Sequence, residues 1–407
     1  MLKNKFLLYF FFFCLGKLSA QNPLTTIIQE NKSVFGDIFD RPDHYEVQIL
    51  YTQINRAEDN SPIFTTFSYR LNEAQYFYPA STIKMPTAFL ALEKLNDLGI
   101  IGLDKQTPMR IGVGSSPQTA MQHDSTAEDT LPSIAHFIKK IFLVSDNDAY
   151  NRLYEFMGQQ QLNEKLWEKG FKNSRIIHRL SAPNYDKVTN RFTNPITFYK
   201  GDTILYHQGE VFSKAYPSLD LKREIRGKGY ENKAEKIVNE PFDFTYKNYI
   251  SLQHLHDILK TVLFPKSVPK QQRFRLTEPD YAFLYQYLSQ TPRAGKYPYY
   301  DKPDGYVKFF LFGGATEKIP EHIRVFNKVG DAYGYLTDVA YVIDFKNQIE
   351  FMVAATIHVN DNRIYNDGVY EYEEKGFPFF KSLGWLIYNY ELKRNRNFLP
   401  NLSKFKR

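Results

Sequence analysis

Ser81 and Lys84 stand three residues apart in Tyr78-Pro79-Ala80-Ser81-Thr82-Ile83-Lys84. On a helix that spacing puts both side chains on one face. A serine hydroxyl is a poor nucleophile at neutral pH until a neighbouring base takes its proton, and a lysine is such a base only when neutral. Burial, or a second cation nearby, lowers a lysine's pKa and supplies the neutral form. Alone, Ser-x-x-Lys is weak: the spacing arises by chance in chains of this length, and Ser81 also reads as an ordinary helix N-cap.

Two further groups offer matching residue types. Ser145-Asp146-Asn147 interrupts a helical pattern, between Leu131–Leu143 and Asp148–Met157. Lys328-Val329-Gly330 falls between a strand pattern at Ile323–Phe326 and another from Tyr335 to Phe345. Singly, Ser145 reads as a helix cap and Lys328 as a solvated lysine at a strand edge.

The elements that must position these groups come from both ends of the chain. Leu24–Phe35 has helix-compatible spacing. Tyr45–Arg56 and Ile63–Tyr69 are rich in β-formers around a polar turn, which reads as a hairpin. A helix from about Thr82 to Leu98 stops at Gly99. Helical periodicity returns at Gln160–Lys169, Tyr249–Phe264 and Glu278–Leu288. Strands at Tyr335–Phe345 and Ile349–His358 join through Lys346-Asn347-Gln348, and Pro378 opens a closing helix. Residues 197–244 follow no period and read as an insertion. This order predicts an α/β (α+β) fold: an antiparallel sheet from about 25–80 and 320–392, flanked by helices, with an inserted all-helical lobe at about 82–290. Two lobes leave a cleft at their junction, where sites usually form.

Composition narrows the partners. The 407 residues are 43% hydrophobic and 24% charged, ordinary for a globular chain. Residues 1–20 read as a secretory signal. Lys3 and Lys5 precede the apolar block Phe6–Leu15, which is too short for a stable span, and Leu18-Ser19-Ala20 fits a cleavage site before Gln21. The expected compartment is secreted or periplasmic, with no stable membrane span once the signal is removed. Cys14, the one cysteine, lies inside that signal, so the mature chain has no disulfide, thiolate nucleophile or cysteine metal site. Removing Lys3, Lys5 and Lys17 takes the formal net charge from +7 to +4. Six basic residues against one acid lie between Glu391 and Arg407. The basic tail 393–407 therefore reads as a solvated terminus, and the near-neutral body offers no nucleic-acid face. The nine histidines form no ligand cluster, so no metal or cofactor is expected.

The three motifs together, in this order and in these contexts, resemble the S-x-x-K, S-D-N and K-T-G set of class A β-lactamases and penicillin-binding proteins. The likeness extends into the flanks: Ser68-Tyr69-Arg70 through Ser81, Val144 through Ala149, and Asn327-Lys328-Val329-Gly330-Asp331-Ala332-Tyr333-Gly334. It covers about residues 25–392 apart from the insertion, within a hydrolase domain at 21–392. The resemblance implies an active-site serine hydrolase of that superfamily. Ser81 is then the nucleophile, Lys84 the base, and Ser145 the proton relay to a departing nitrogen. Asn147 orients the substrate amide and Lys328 faces a substrate carboxylate. The N–H groups of Ser81 and Asp331, beside Gly330, form the oxyanion hole.

Two departures qualify the activity. Val329 stands where the third motif usually has a hydroxyl, and valine cannot hydrogen-bond a carboxylate. The resemblance also implies a loop glutamate that activates deacylating water. His178-Arg179-Leu180 resembles the start of that loop, the glutamate's place falls on Asn184, and the nearby carboxylate is Asp186. Asparagine positions a water but cannot take its proton. Hydrolysis of a β-lactam amide through an ester on Ser81 is the activity named first. The alternatives are a DD-peptidase or esterase-like hydrolase that releases β-lactams slowly, and a non-catalytic binder of cell-wall peptide. The substrate is in each case a β-lactam or a small cell-wall peptide.

Overall fold

The computed structural model describes residues 22–406; the signal-like segment 1–20 lies outside them. Five strands form one antiparallel sheet: β1 (Gln48–Arg56), β2 (Pro62–Tyr69), β3 (Ile323–Ala332), β4 (Tyr335–Asp344) and β5 (Ile349–His358), in the order β3-β4-β5-β1-β2. The N-terminal hairpin thus pairs with the C-terminal meander through β1 and β5, with Gln48 opposite Thr356 and Gln53 opposite Phe351. β4 and β5 are buried along their whole length. Side chains alternate between faces along a strand. Val339, Tyr341 and Ile343 therefore join one apolar cluster, and Leu336, Ala340 and Val342 join another on the opposite face. The second cluster is closed by α1 (Pro23–Glu30) and the terminal helix α8 (Phe377–Lys393).

The first cluster belongs to the helical lobe, made of α2 (Lys84–Leu98), α3 (Ile134–Val144), α4 (Asn147–Met157), α5 (Gln159–Glu168), α6 (Leu252–Leu263) and α7 (Glu278–Ser289). α2 is its axis: all but one residue from Lys84 to Leu95 is buried, as expected of a helix packed on all sides. It ends where Gly99 turns left-handed at φ 61°. Asp146 caps α4 by accepting from the Ala149 N–H at 2.8 Å, so the cap is the residue after Ser145.

The unperiodic stretch 197–244 consists of very short strand pairs, so the lobe is not helical throughout. Ile196–Lys200 lies between Met109–Ile111 and Thr203–Gln208. Further on, Gly229–Glu231 pairs with Ile237–Val238 and, in parallel, with Ile364–Tyr365 beyond β5. Buried Arg226 pairs with Glu46, and its Nη2 donates to the Tyr76 carbonyl at 2.9 Å. This half of the insertion is thereby fixed to the sheet lobe.

The basic tail is not a solvated terminus. Arg394 and Arg396 both bind the fully buried carboxylate of Glu391, and Leu402 and Phe405 are buried, with Phe405 packing on Phe326 and Tyr341. Two arginines of the charge run are ion-pair partners of Glu391, and two apolar anchors hold the tail against the sheet lobe. Among the described residues no helix is long and apolar enough to cross a membrane.

Candidate active site

The strained turn Pro79-Ala80-Ser81 enters α2 through a single 3₁₀ turn, Ala80–Ile83, with Ala80 at φ 46°. Beside it runs β3, the edge strand of the sheet. Gly330 is required there by close approach: a Cβ would fall 2.7 Å from both the Pro79 carbonyl oxygen and the Ser81 nitrogen. Ser81, Asn147 and Asp331 line a cleft of about 980 Å³ between the lobes. Ser81 is half-buried, and among the described residues its hydroxyl has no hydrogen-bond partner.

Lys84 is fully buried behind Ser81. Its Nζ donates to the Ser145 carbonyl and to Asn147 Oδ1, the latter at 2.6 Å, and lies 3.3 Å from Ser145 Oγ. Lys328, on the face of β3 turned towards the helical lobe, places its Nζ 2.8 Å from the same Ser145 Oγ. One hydroxyl therefore bridges the two lysine nitrogens. Ser145 reaches this position at φ 57°, as the left-handed residue between α3 and α4. Burial, and secondarily the charge of Lys328, hold the Lys84 pKa well below the usual lysine range; Asp146 and Asp331 oppose this. Burial brings Lys328 itself down to about 7.

Alternation along β3 explains the departure at Val329. It faces away from the cleft into the apolar cluster under α8, 2% exposed. On that face Lys308 donates to Asn327 Oδ1 at 2.7 Å, and Asn327 Nδ2 donates to Asp338 at 2.8 Å. This buried polar group braces the strand that carries Lys328.

The loop expected to carry a water-activating carboxylate is anchored by Arg179. Its Nε donates to Glu155 of α4 at 2.8 Å, with both side chains 1% exposed. The side chain presented to the cluster is Ser181, at φ 49°, whose Oγ accepts from Asn147 Nδ2 at 2.7 Å. Asn184 is exposed and does not line the cleft, so the sequence-based alignment of this position is corrected: Ser181 to Pro183 and Tyr185 to Lys187 line it, and Asn184 between them does not. Asp186 caps its own loop, accepting from the N–H groups of Val188 at 2.8 Å and Thr189 at 2.7 Å, which lowers its pKa. Asp186, the carboxylate of this loop, lines the same cleft as Ser81, with its Oδ1 engaged in this cap.

The sequence profile of the Beta-lactamase enzyme family matches residues 46–390. The chain belongs to that family. It is a serine hydrolase of the β-lactamase and penicillin-binding-protein type. No curated protein sequence matched it. Among solved structures, it is similar to a β-lactamase from Xanthomonas campestris pv. campestris, at 12% identity and a TM-score of 0.47 over 89% of this chain and 98% of that one. It is also similar to a class A β-lactamase from Clostridium kluyveri, at 15% identity and a TM-score of 0.46 over 89% and 99%. A third is the structure of PBP-A, at 13% identity and a TM-score of 0.47 over 90% and 96%.

All seven residues singled out in the sequence of this family member lie at the cleft or directly behind it. Ser81, Asn147 and Asp331 border it, Gly330 packs against the turn that carries Ser81, and Lys84, Ser145 and Lys328 form the bonded cluster beneath. Sequence reasoning missed Ser181, which carries no motif, and the aromatic wall supplied by Tyr78, Tyr333, the insertion residues Tyr230 and Phe242, and Tyr246 just after it.

Proposed function

We propose that this exported serine hydrolase transfers the acyl group of a β-lactam, or of a related small cell-wall peptide, to Ser81 and releases it slowly. The observation that carries the reading is Lys84: a fully buried amine one helical turn from Ser81, with its hydrogens engaged by Ser145 and Asn147 and its charge disfavoured by burial and by Lys328.

In acylation the Ser81 oxygen attacks the amide carbon while its proton passes to neutral Lys84. The negative charge on the carbonyl oxygen meets the N–H groups of Ser81 and Asp331. When the carbon–nitrogen bond breaks, Ser145 hands its proton to the departing nitrogen and is resupplied from Lys328, 2.8 Å away. Water then forms a new carbon–oxygen bond, the ester to Ser81 breaks, and the serine recovers its proton.

Slow release is supported by the loop at 178–186. A serine faces Asn147, and the nearest carboxylate, Asp186, is engaged in capping. Export is supported by the sequence of residues 1–20. The test is a fluorescent penicillin followed by intact-protein mass. A persistent adduct on Ser81, absent in Ser81→Ala, is expected. Rapid turnover without an adduct would make the protein a fast β-lactamase instead, and no adduct under any condition would sink the acyl-transfer reading.

A further inference from the structure

The cleft continues beyond Ser81 along a shelf of aromatic rings that the reaction itself does not use. Tyr78, three residues before Ser81, meets Tyr333 edge to face at 5.0 Å between ring centres. Tyr333, two residues after Asp331, lies 5.5 Å from Phe242 of the insertion. His178 is parallel to Tyr78 at 6.3 Å; burial first, and then the nearby charge of Lys247, lower its pKa to about 3, so the ring is neutral.

At the far end of this shelf sits Lys247. Its Nζ is 3.5 Å from the Tyr333 hydroxyl, 5.6 Å from the Tyr333 ring centre and 5.7 Å from that of Phe242. The side chain is half-buried and lines the same cleft as Ser81. Among the described residues no carboxylate pairs with it. The acids at this end are Asp186, which caps its own loop, and Glu231, and neither reaches the ammonium. A cation partly withdrawn from water and left without a counter-ion favours an anion brought by a ligand.

Lys247 is also held in place. Its N–H donates to the Phe244 carbonyl at 2.9 Å, and its carbonyl accepts from Arg175 Nε at 3.1 Å. The direction follows from β3. Lys328 and Ser145 serve the departing nitrogen, and the strand runs from Lys328 past Asp331 to Tyr333, away from them. The shelf therefore receives the substituent on the acyl side of the scissile bond.

We infer that Lys247, three residues past the insertion, selects substrates whose acyl substituent bears a carboxylate about a shelf's length from the scissile carbonyl. This rests on Ser81 being the acyl acceptor, as proposed above. It also gives the insertion a role: Arg226 and Arg175 pin it so that Phe242 and Lys247 complete the acyl-side wall.

The test compares adipyl-penicillin, whose side chain ends in a carboxylate, with its side-chain methyl ester. Acylation rate constants are measured on the full protein. The acid is expected to exceed the ester by about ten-fold or more. That ratio should fall to about one in Lys247→Gln and be largely retained in Lys247→Arg. The same pair is compared by equilibrium binding to Ser81→Ala with and without Lys247→Gln, which reads the subsite whether or not Ser81 reacts. No selectivity in the wild type, or a ratio unmoved by Lys247→Gln, overturns the inference. Failure of both compounds to acylate Ser81, with selective binding retained, would overturn the proposed reaction and leave the subsite standing.

Discussion

Lys84 Nζ lies 2.6 Å from Asn147 Oδ1, so the amine has an acceptor other than Ser81, the serine it deprotonates in the proposed reaction. The Ser145 carbonyl takes a second N–H. A neutral amine has two hydrogens and one lone pair. With both hydrogens engaged, the lone pair is left for the Ser81 proton. Asn147→Leu keeps the volume and removes one acceptor, and it should slow acylation of Ser81 by about 10²-fold. Lys84→Met should slow it by about 10³-fold or more. Stopped-flow uptake of a fluorescent penicillin reads both. Wild-type uptake by Lys84→Met would remove Lys84 as the base.

The two lysines predict a bell-shaped pH profile for acylation. Burial lowers the Lys84 pKa most and Lys328 adds to the effect, so the rate rises with pH as Lys84 loses its proton below the ordinary lysine range. The proton returned through Ser145 comes from Lys328, whose pKa of about 7 sets a falling limb. Lys328→Arg stays charged and cannot supply that proton, so acylation should slow and the falling limb should disappear. Stability moves with the same groups. A depressed lysine pKa means the folded state disfavours the charge, so the penalty is full below about 7 and fades as pH rises towards 10.5. Lys328→Met should therefore melt higher than the wild type at about pH 6, with a gap that narrows on the alkaline side. A gap that widens with pH would contradict the burial argument.

Release of the acyl group should respond to Ser181 and not to Asn184. Ser181 accepts from Asn147 at 2.7 Å, next to the Lys84 cluster, whereas Asn184 is exposed outside the cleft. A carboxylate at Ser181→Glu adds a base that can take a proton from water, and adduct lifetime should shorten about ten-fold or more. Asn184→Glu should leave it within about two-fold. Time-resolved intact mass of the adduct distinguishes the two. A shortened lifetime for Asn184→Glu alone would reinstate the alignment drawn from sequence.

The difference between those two positions marks where the sequence stops being legible. Ser81, Ser145 and Lys328 were readable because each motif is short, rigidly spaced and set at a break between periodic elements. The sheet was readable because β4 and β5 are long apolar runs joined by a polar turn. Val329 could be read as a missing hydroxyl but not as a core residue, because facing follows from strand register. The insertion escaped because, after Thr203–Gln208, its strands are two or three residues long and some pair far along the chain, as Tyr230 does with Tyr365. No local period records such a ladder. The tail misled for a related reason: Glu391 lies within α8, and the arginines that neutralise it follow the helix, so their charge looks unpaired until the chain folds back through Leu402 and Phe405.

The Arg179–Glu155 pair should decide whether the cleft loop stays formed. Both side chains are 1% exposed, and Arg179 also donates to the Phe192 carbonyl at 3.1 Å, so one residue ties the loop to α4 and to the segment ahead of the insertion. Arg179→Ala leaves Glu155 with Arg152 alone, at 3.1 Å on its other oxygen, and the unpaired Oε1 together with the lost contacts should destabilise the protein by about 3 kcal/mol. Asp186→Ala removes only a loop cap on the surface and should cost about 1 kcal/mol. Denaturant unfolding gives both values. Glu155→Gln keeps shape and hydrogen bonding while removing the charge. If it costs as much as Arg179→Ala, the ion pair holds the loop. If it costs little, the packing of the guanidinium over the Tyr185 ring, 4.1 Å from its centre, holds it instead.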